Sequence, residues 1–528
     1  MKALLIYPEL PVLFWTFEKL CRLAGAKSLV PPLGLITAAS LLPPEWDLRL
    51  VDMNTRPLTE SDWNWADMVL FSAMLPQHGR LFELLREAKA REKTTVAGGP
   101  FPSSAPREIL DAGCDFLVRG EGENTVPLFL SAFREGKTRG VFESTVRPDL
   151  AQTPIPRYDL LRLKDYVAIP VQTSRGCPFD CEFCDIVNLY GHTPRYKTPD
   201  QVIGELEALY RVGWRSEVFI SDDNFIGSKL HARNILEKLT PWMKSRGEPF
   251  NFMTQVSSNL GQDREMIDLM TEANFWSVFV GVESPDETVL ALNRKYQNIR
   301  NPISQSLDNL NRNGLSVLAS FIIGLDGEEK GAGQRICAFV EHAAIPLVML
   351  NTLYAMPNTR LWKRLKREGR LRCSQFSDET VIDRLNYLPS RPESEIMQEY
   401  ADAWEYLFEP SRYLARTYRY YLNMRPTRRA LARQKGEPLP QEVPDAKQGL
   451  RRRLRDLYKF LRLAWWEGVL SPCRNQFWRQ LIGMRRHNPS RLVAYLSACA
   501  WGSIMFSFRD EIARRRRVGR DNGPAETE

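Results

Sequence analysis

The 528-residue chain shows little that would suggest a disulfide framework or a signal peptide, and no apolar run long enough to span a bilayer with ease. Its nine cysteines are an odd number for a chain this long. Six of them (Cys21, Cys114, Cys337, Cys373, Cys473, Cys499) are scattered singly, as small buried hydrophobes are, and not spaced like the staples of a secreted scaffold. The apolar stretch Met1–Tyr7 is too short for a signal sequence and is stopped by Pro8, so a reducing, cytoplasmic setting is expected. No Ser/His/Asp set and no paired carboxylates stand out, which argues against side-chain hydrolytic or general acid–base chemistry. With 43% hydrophobic and 10% aromatic residues, wholesale disorder is excluded. The length calls for two or three domains.

Charge is unevenly spread. Residues 411–528 carry 26 lysines and arginines against 10 acidic residues, and residues 1–410 carry 46 against 54. The formal excess of +8 therefore belongs to the tail, which should face phosphate, of a membrane surface or of nucleic acid. Within it, Leu492–Phe508 is 17 residues without a charge, bracketed by Arg485, Arg486 and Arg491 before and by Arg509 and Arg514 to Arg517 after. A helix of that length is about 26 Å long, at the lower limit for a span. Arginine on both flanks gives no orientation, which favours an in-plane interfacial helix over a crossing one, with core packing as the alternative. The interleaved aromatics Tyr413, Tyr418, Tyr420, Tyr421, Trp465, Trp466, Phe477 and Trp478 suit either.

Short apolar runs at Ala3–Tyr7, Asp47–Asp52, Met68–Ser72, Thr94–Ala97 and Phe116–Val118 read as strands, with helices at 33–42, 78–92 and 105–112. This βα alternation predicts a doubly wound parallel sheet of Rossmann or flavodoxin type over residues 1–145. Its ligand loops follow the strands: Pro31-Pro32-Leu33-Gly34, Ser72 to Gln77, Gly98-Gly99-Pro100 and Arg119-Gly120-Glu121-Gly122-Glu123. Prolines 148, 154 and 156 mark a linker over 146–166. A second alternation follows, with strands at Ala168–Thr173, Glu217–Ser221, Asn251–Gln255, Ser277–Gly281, Leu315–Ile323 and Val348–Tyr354. Helices near 198–212, 228–245, 263–273, 286–292, 302–313 and 331–344 separate them. Six βα repeats over 167–372 predict a partial (β/α)6, TIM-like barrel with its chemistry at the strand carboxyl ends. Beyond it, 373–528 reads as a basic, mainly α-helical domain, with a proline-containing mobile loop at 434–447.

The sharpest signal is Ser174-Arg175-Gly176-Cys177-Pro178-Phe179-Asp180-Cys181-Glu182-Phe183-Cys184, directly after the first barrel strand. Three thiolates at this spacing suit three irons of a [4Fe–4S] cube, leaving the fourth open to chelate a small molecule. Structural zinc would need a fourth ligand; His192, eight residues on, is the nearby histidine.

Cys-x3-Cys-x2-Cys in the loop after strand one of a partial barrel resembles the radical S-adenosylmethionine (SAM) superfamily. By that resemblance Cys177, Cys181 and Cys184 hold the cluster, and Phe183 lies near the SAM adenine. Asp222, Asp223 and Asn224 take the place of the segment that holds the SAM amino group, and Glu283, Ser284 and Ile323 sit in SAM-contacting segments. The N-terminal sheet is similar to the cobalamin-binding domain of the B12-binding radical SAM class. The residues implicated are Tyr7, Pro32, Leu33, Gly34, Ser72, Gln77, Gly98, Gly99, Pro100, Gly120 and Glu121. There is no Asp-x-His-x-x-Gly to supply a cobalt ligand, and His78 lacks that context.

Similarity along the whole chain, including Tyr354-Ala355-Met356-Pro357-Asn358-Thr359 and the basic tail, is to the subgroup containing hopanoid C-2 methylases. It implies a SAM-derived radical that abstracts hydrogen from an unactivated carbon, and methylcobalamin that delivers the methyl group. The substrate would be lipid-like, the reductant a flavodoxin or ferredoxin, and the enzyme peripheral to the inner face of the cytoplasmic membrane. The rival readings are oxidative cyclisation without methyl transfer, as in Mg-porphyrin cyclases, RNA modification, and a non-catalytic corrinoid sensor. No second cysteine triad supplies the auxiliary cluster of a methylthiotransferase, and the acidic body makes nucleic acid the less favoured partner.

Overall fold

A computed structural model describes residues 1–11, 17–372, 385–437 and 460–521, with side chains as far as Arg516. Cys373, most of the 434–447 loop and the outermost arginines of the tail lie outside the described residues or side chains. The chain falls into two compact units, Met1–Pro178 with Asp185–Lys238, and Phe179–Cys184 with Leu239–Glu528.

The first unit opens on β1 (Lys2–Tyr7), β2 (Asp47–Asp52), β3 (Met68–Ser72), β4 (Thr94–Gly98), β5 (Phe116–Val118) and β6 (Gly140–Phe142). They form one parallel sheet in the order β2-β1-β3-β4-β5-β6. Ala3, Leu4, Leu5 and Ile6 of β1 are all buried. A continuous apolar run, with no alternation, is what a parallel strand covered on both faces requires. The strand order reverses between β1 and β3, and a sheet that does so has a crevice for ligands beyond the carboxyl ends at that point. Several elements go beyond the sequence expectation. The helices Glu18–Ala24 and Glu60–Trp65 are added, β6 adds a sixth strand, and the helix Gly122–Arg134 begins inside the Gly120-Glu121-Gly122 segment that reads as loop. Pro127 at its sixth position obscures the helix in sequence, while its buried face (Val126, Phe129, Leu130) packs into the sheet core.

The same unit continues through β7 (Ala168–Val171), a short antiparallel pair β8 (Ser174–Arg175) and β9 (Arg195–Tyr196), and β10 (Glu217–Ile220). β10 pairs with β7 in parallel. Between β9 and β10 the helix Pro199–Arg211 starts at Thr198, whose side chain and that of Gln201 form a capping box with proline at the first turn.

The second unit holds β11 (Asn251–Val256), β12 (Phe275–Glu283), β13 (Ser316–Ile323) and β14 (Leu347–Thr352), consecutive and parallel. The helices Arg264–Glu272, Ile303–Arg312 and Ala332–His342 connect them. The six strands β7 and β10 to β14, each followed by a helix, give the succession of a partial (β/α)6 barrel. The basic C-terminal helices belong to this unit and are tied to its strands and helices. Tyr420 Oη accepts from the Val317 amide of β13 at 2.8 Å, and the fully buried Arg416 donates to Glu341 and to Leu407 O.

Leu492–Asp521 is a single helix, and the segment Pro489–Arg516 is long and apolar enough to cross a membrane on length and composition alone. One face is nevertheless core. Tyr495, Ala498, Cys499 and Met505 are buried, and a Cβ on Gly502 would come within 2.3 Å of the Tyr413 ring.

Candidate functional site

At the carboxyl edge of the first sheet the expected loops come to one level. Ser72 is register partner of Gly98, Gly98 of Val118, and Tyr7 stands one residue past the Ile6–Phe71 pair. Two glycines there have opposite reasons. Gly99 has φ +93° and a Cβ on it would meet Ser72 Oγ at 2.5 Å, so packing within the chain demands glycine. Gly34 follows Pro32 and Leu33 at the start of the helix Leu33–Ala39, and a Cβ there meets nothing within 4 Å. Gly120 also has open space beside it, but its φ of +79° already calls for glycine. At Gly34, backbone that is bare on a ligand-facing edge without an internal need for it fits a flat corrinoid approaching closely. Pro100 begins the short helix Pro100–Ser104. Gln77 is buried and spends its amide within the chain, donating to Pro8 O and accepting from the Met74 amide at 2.7 Å. His78 Nδ1 lies 2.9 Å from Leu75 O, with its ring beside Phe82 and Phe101, so its setting is that of a packed residue.

Glu121 is also committed within the protein. Its side chain, 2% exposed, receives Arg175 at 2.6 Å, both terminal nitrogens of Arg195 at 2.8 and 2.9 Å, and Arg147 at 3.3 Å. Arg175 also pairs with Glu123 at 3.0 Å. Burial opposes the guanidinium charge of Arg175, but Glu123 and Glu121 more than offset it and raise its pKa. A corrinoid-facing role for Glu121 therefore gives way to a structural one: it anchors the residue two places before Cys177.

The Asp222-Asp223-Asn224 segment after β10 divides its work. Asp222 is wholly buried and accepts four hydrogen bonds, from the amides of Thr173 and Ser174 and from both of their hydroxyls. All its acceptor positions are filled, so it braces the start of the cysteine loop and has none left for a SAM ammonium. Asp223 accepts from the Gly176 amide at 2.8 Å, and burial lifts its carboxyl to about 6. Asn224 is buried alongside.

In the second unit Cys181, Phe183 and Cys184 face a cluster of polar groups that no motif announces. Gln297 Nε2 points at Cys181 Sγ from 3.3 Å, and Asn298 donates to the carbonyls of Gly281 and Val282. Lys295 binds Glu283 at 2.8 Å and stands 5.9 Å from the Phe183 ring centroid. Burial opposes its charge; Glu283, Cys181 and Cys184 prevail and raise its pKa. Glu283 closes β12 at φ +66°, directly after a register shift against β13. Such strain in a non-glycine residue persists only where its surroundings impose it. Ser284 is buried beside it. Ile323 ends β13 in register with Thr352. Next to it Gly324, at φ +98°, donates to Glu328 at 2.7 Å. Burial raises the Glu328 carboxyl to about 7, and its Oε1 has no hydrogen-bond partner.

The outer side of the cysteine loop is held by arginines. Arg364 makes a bidentate pair with Glu182 at 2.7 and 2.9 Å, while Arg294 and Arg360 both bind Asp180. A cleft of about 670 Å³ opens there, lined among others by Glu182, Arg294, Lys363 and Arg367.

None of the eight described cysteines is in a disulfide. Among the described residues no three His, Cys, Asp or Glu side chains converge as the ligands of one ion do. In a [4Fe–4S] cube each thiolate ligates its own iron, so the three need not share a single point. An amide donor at Cys181 and a buried ammonium nearby suit thiolates that carry charge. Lys295, Gln297 and Asn298 thus join the site unannounced. Cys181 and Gln297 are 116 residues apart, and nothing local in Asn-Arg-Lys-Tyr-Gln-Asn signals the approach.

Residues 20–130 match the B12 binding domain family, 171–340 the radical SAM superfamily, and 359–517 a domain of unknown function. The chain is 44% identical to an uncharacterized methyltransferase of Synechocystis, over 98% of this chain and 94% of that protein. It is 34% identical to the hopanoid C-2 methylase of Rhodopseudomonas palustris, over 79% of this chain and 78% of that one. Among solved structures, the cobalamin-dependent SAM radical enzyme OxsB, with aqua-cobalamin and SAM bound, aligns with a TM-score of 0.59 at 15% identity. The alignment covers 100% of this chain and 82% of OxsB. The radical SAM methyltransferase TsrM of Kitasatospora setae, with cobalamin and a [4Fe–4S] cluster bound, gives 0.54 at 15%, covering 76% and 84%. At such identities these two share the fold.

Proposed function

Since the chain belongs to the cobalamin-dependent radical SAM methyltransferases, we propose that it methylates an unactivated carbon of a polycyclic, lipid-like molecule, specifically C-2 of a hopanoid. The observation that carries the substrate is the 34% identity to the hopanoid C-2 methylase across 79% of the chain. When bound, the cluster, SAM and cobalamin supply one-electron cleavage of SAM and a methyl group for carbon.

The chain's own residues position and charge these groups. Cys177, Cys181 and Cys184 hold the cluster; Asp222 and Asp223 fix the start of their loop through Thr173, Ser174 and Gly176. Gln297 and Lys295 stabilise thiolate charge. Asp223 and Asn224 of the first unit, and Phe183, Glu283, Ser284 and Ile323 of the second, belong to the segments assigned to SAM by the family resemblance. Tyr7, Pro32, Leu33, Gly34, Ser72, Gly98, Gly99, Pro100 and Gly120 shape the edge on which the corrinoid lies. No group of the chain moves a proton to or from the substrate in this scheme. The cationic cleft outside Cys181 suits an acidic one-electron carrier such as flavodoxin or ferredoxin.

Lipid extracts of a deletion strain and its parent test the substrate. Loss of one methylene unit from a hopanoid is expected. Unchanged hopanoids, together with a tetrapyrrole lighter by one methylene, would transfer the chemistry to the substrates named for two bacteriochlorophyllide methyltransferases that are 26% and 23% identical to the chain.

A further inference from the structure

The basic C-terminal region does not present the surface that its longest uncharged stretch suggests. Leu492–Phe508 turns Tyr495, Ala498, Cys499 and Met505 inward. The exposed apolar surface lies just before it. Seven of the 21 exposed large apolar side chains among the described residues fall within 461–482, including every exposed tryptophan. Trp465 and Trp466 are each 60% exposed and Leu470 56%.

Local geometry produces this face. Residues 460–465 are helical and run into a π turn, Trp466–Leu470, in which the Ser471 amide donates to Trp466 O at 3.0 Å. The wider turn brings adjacent pairs, Trp465 with Trp466 and Val469 with Leu470, to solvent together. Trp478 folds over that turn: its Nε1 donates to Gly468 O at 2.9 Å, and a Cβ on Gly468 would collide with the indole at 2.8 Å. In the helix Arg474–His487, Phe477, Gln480 and Met484 point inward at helical spacing. Arg474, Trp478 and Ile482, four residues apart, form the opposite, exposed stripe.

The exposed charges of the segment itself have one sign. Arg462, Arg474, Arg479, Arg485 and Arg486 are exposed, and the single acid of the segment, Glu467, is buried and receives Ser503 Oγ. Tryptophan indoles with a polar N–H at the edge of an aliphatic patch, ringed by guanidiniums, match the boundary between acyl chains and anionic headgroups. RNA would use the arginines and could stack on the indoles, but it offers nothing to Leu461, Leu470 and Ile482.

We propose that the face formed by Leu461, Trp465, Trp466, Leu470, Trp478 and Ile482 docks the enzyme on an anionic phospholipid bilayer, the inner face of the cytoplasmic membrane. This deepens the lipid-substrate reading, on which it rests for its purpose.

The test is sedimentation of the full-length protein with extruded vesicles of phosphatidylglycerol and phosphatidylcholine, against phosphatidylcholine alone. Binding to the anionic vesicles and its loss in high salt are expected. Each arginine near the surface contributes about 1 kcal/mol, so Arg474→Ala with Arg479→Ala weakens partition about 30-fold. Trp465→Ala with Trp466→Ala lowers it more than about tenfold, and brominated acyl chains quench wild-type tryptophan fluorescence. Both double variants keep the wild-type Tm, because the side chains removed make few internal contacts. No binding to anionic vesicles overturns the inference. So does a dimer in lipid-free sedimentation velocity that the tryptophan variant abolishes, which assigns the patch to a second copy of the chain. Tighter, salt-sensitive binding to tRNA than to vesicles also overturns it. SAM cleavage by the dithionite-reduced enzyme in solution is unchanged in both variants, so a failed docking test leaves the catalytic reading standing, and lost cleavage in wild type condemns that reading alone.

Discussion

Glu121→Gln removes the charge from a carboxylate that is 2% exposed while keeping its shape. Three arginines lean on that carboxylate, and an amide offers them one acceptor oxygen and a donor group facing donors. Breaking a buried ion pair from one side costs about 3–5 kcal/mol. The lower end applies here, because Arg175 keeps Glu123 at 3.0 Å and Arg195 keeps the carbonyls of Pro148 and Tyr190 at 3.0 and 3.2 Å. A loss of about 3 kcal/mol lowers Tm by about 6–12 °C in a unit of this size. Differential scanning calorimetry of anaerobically purified apoprotein reads it, and high salt changes the difference little because the groups are screened by protein. Arg175 lies two residues before Cys177, so the variant also retains less iron after reconstitution. A drop below about 2 °C, with cobalamin affinity down tenfold or more, would show that Glu121 faces the corrinoid and would refute the structural reading.

Cys181→Ala folds with wild-type secondary structure by circular dichroism, yet loses the cluster absorbance and SAM cleavage; retained cleavage would sink the cluster assignment. Gly34→Ala leaves stability within about 1 kcal/mol of wild type and weakens cobalamin binding in a visible-spectrum titration. Gly99→Ala, strained at positive φ and against Ser72, costs at least about 1–3 kcal/mol even without cofactor. Glu328 has its carboxyl raised from 4.5 to about 7. The stability this group contributes is fully present below pH 4.5 and is lost as pH rises to 7, by about 3 kcal/mol. Glu328→Gln should flatten that slope in a pH series of thermal melts, and an unchanged slope would place the proton elsewhere. Lys363→Glu with Arg367→Glu slows flavodoxin-driven SAM cleavage several-fold and leaves the dithionite-driven rate alone; equal slowing with both reductants would remove the cleft from electron delivery.

The sheet and the barrel were legible because parallel strands covered on both faces are written as unbroken apolar runs: β1, β3 and β13 fall within a residue or two of where Leu4, Leu70 and Phe321 put them. The cysteine loop was legible because all three thiolates lie within eight residues. Roles that depend on tertiary partners were not. Asp222 and Glu121 stand in ligand-facing motifs, yet spend their carboxylates on Thr173, Ser174 and Arg175, from elements 48 to 54 residues distant. Lys295 and Gln297 reach the thiolates from a 3-10 turn without signature. In the tail, one composition serves a buried face and an exposed face equally, and only the burial of Tyr495 against the exposure of Trp465 tells them apart.

The guanidinium knot also constrains protein engineering. The 146–166 connection invites a splice, since corrinoid sheet and barrel lie on either side of it. A chimera joined there takes Glu121 and Glu123 from one parent, and Arg175 and Arg195 from the other. Parents that carry different charges at those four positions will yield hybrids with an unpaired ion inside the protein, however well each half folds alone. Successful grafts must carry the segment through Arg195 with the sheet, and so import the donor's cysteine loop along with its corrinoid site.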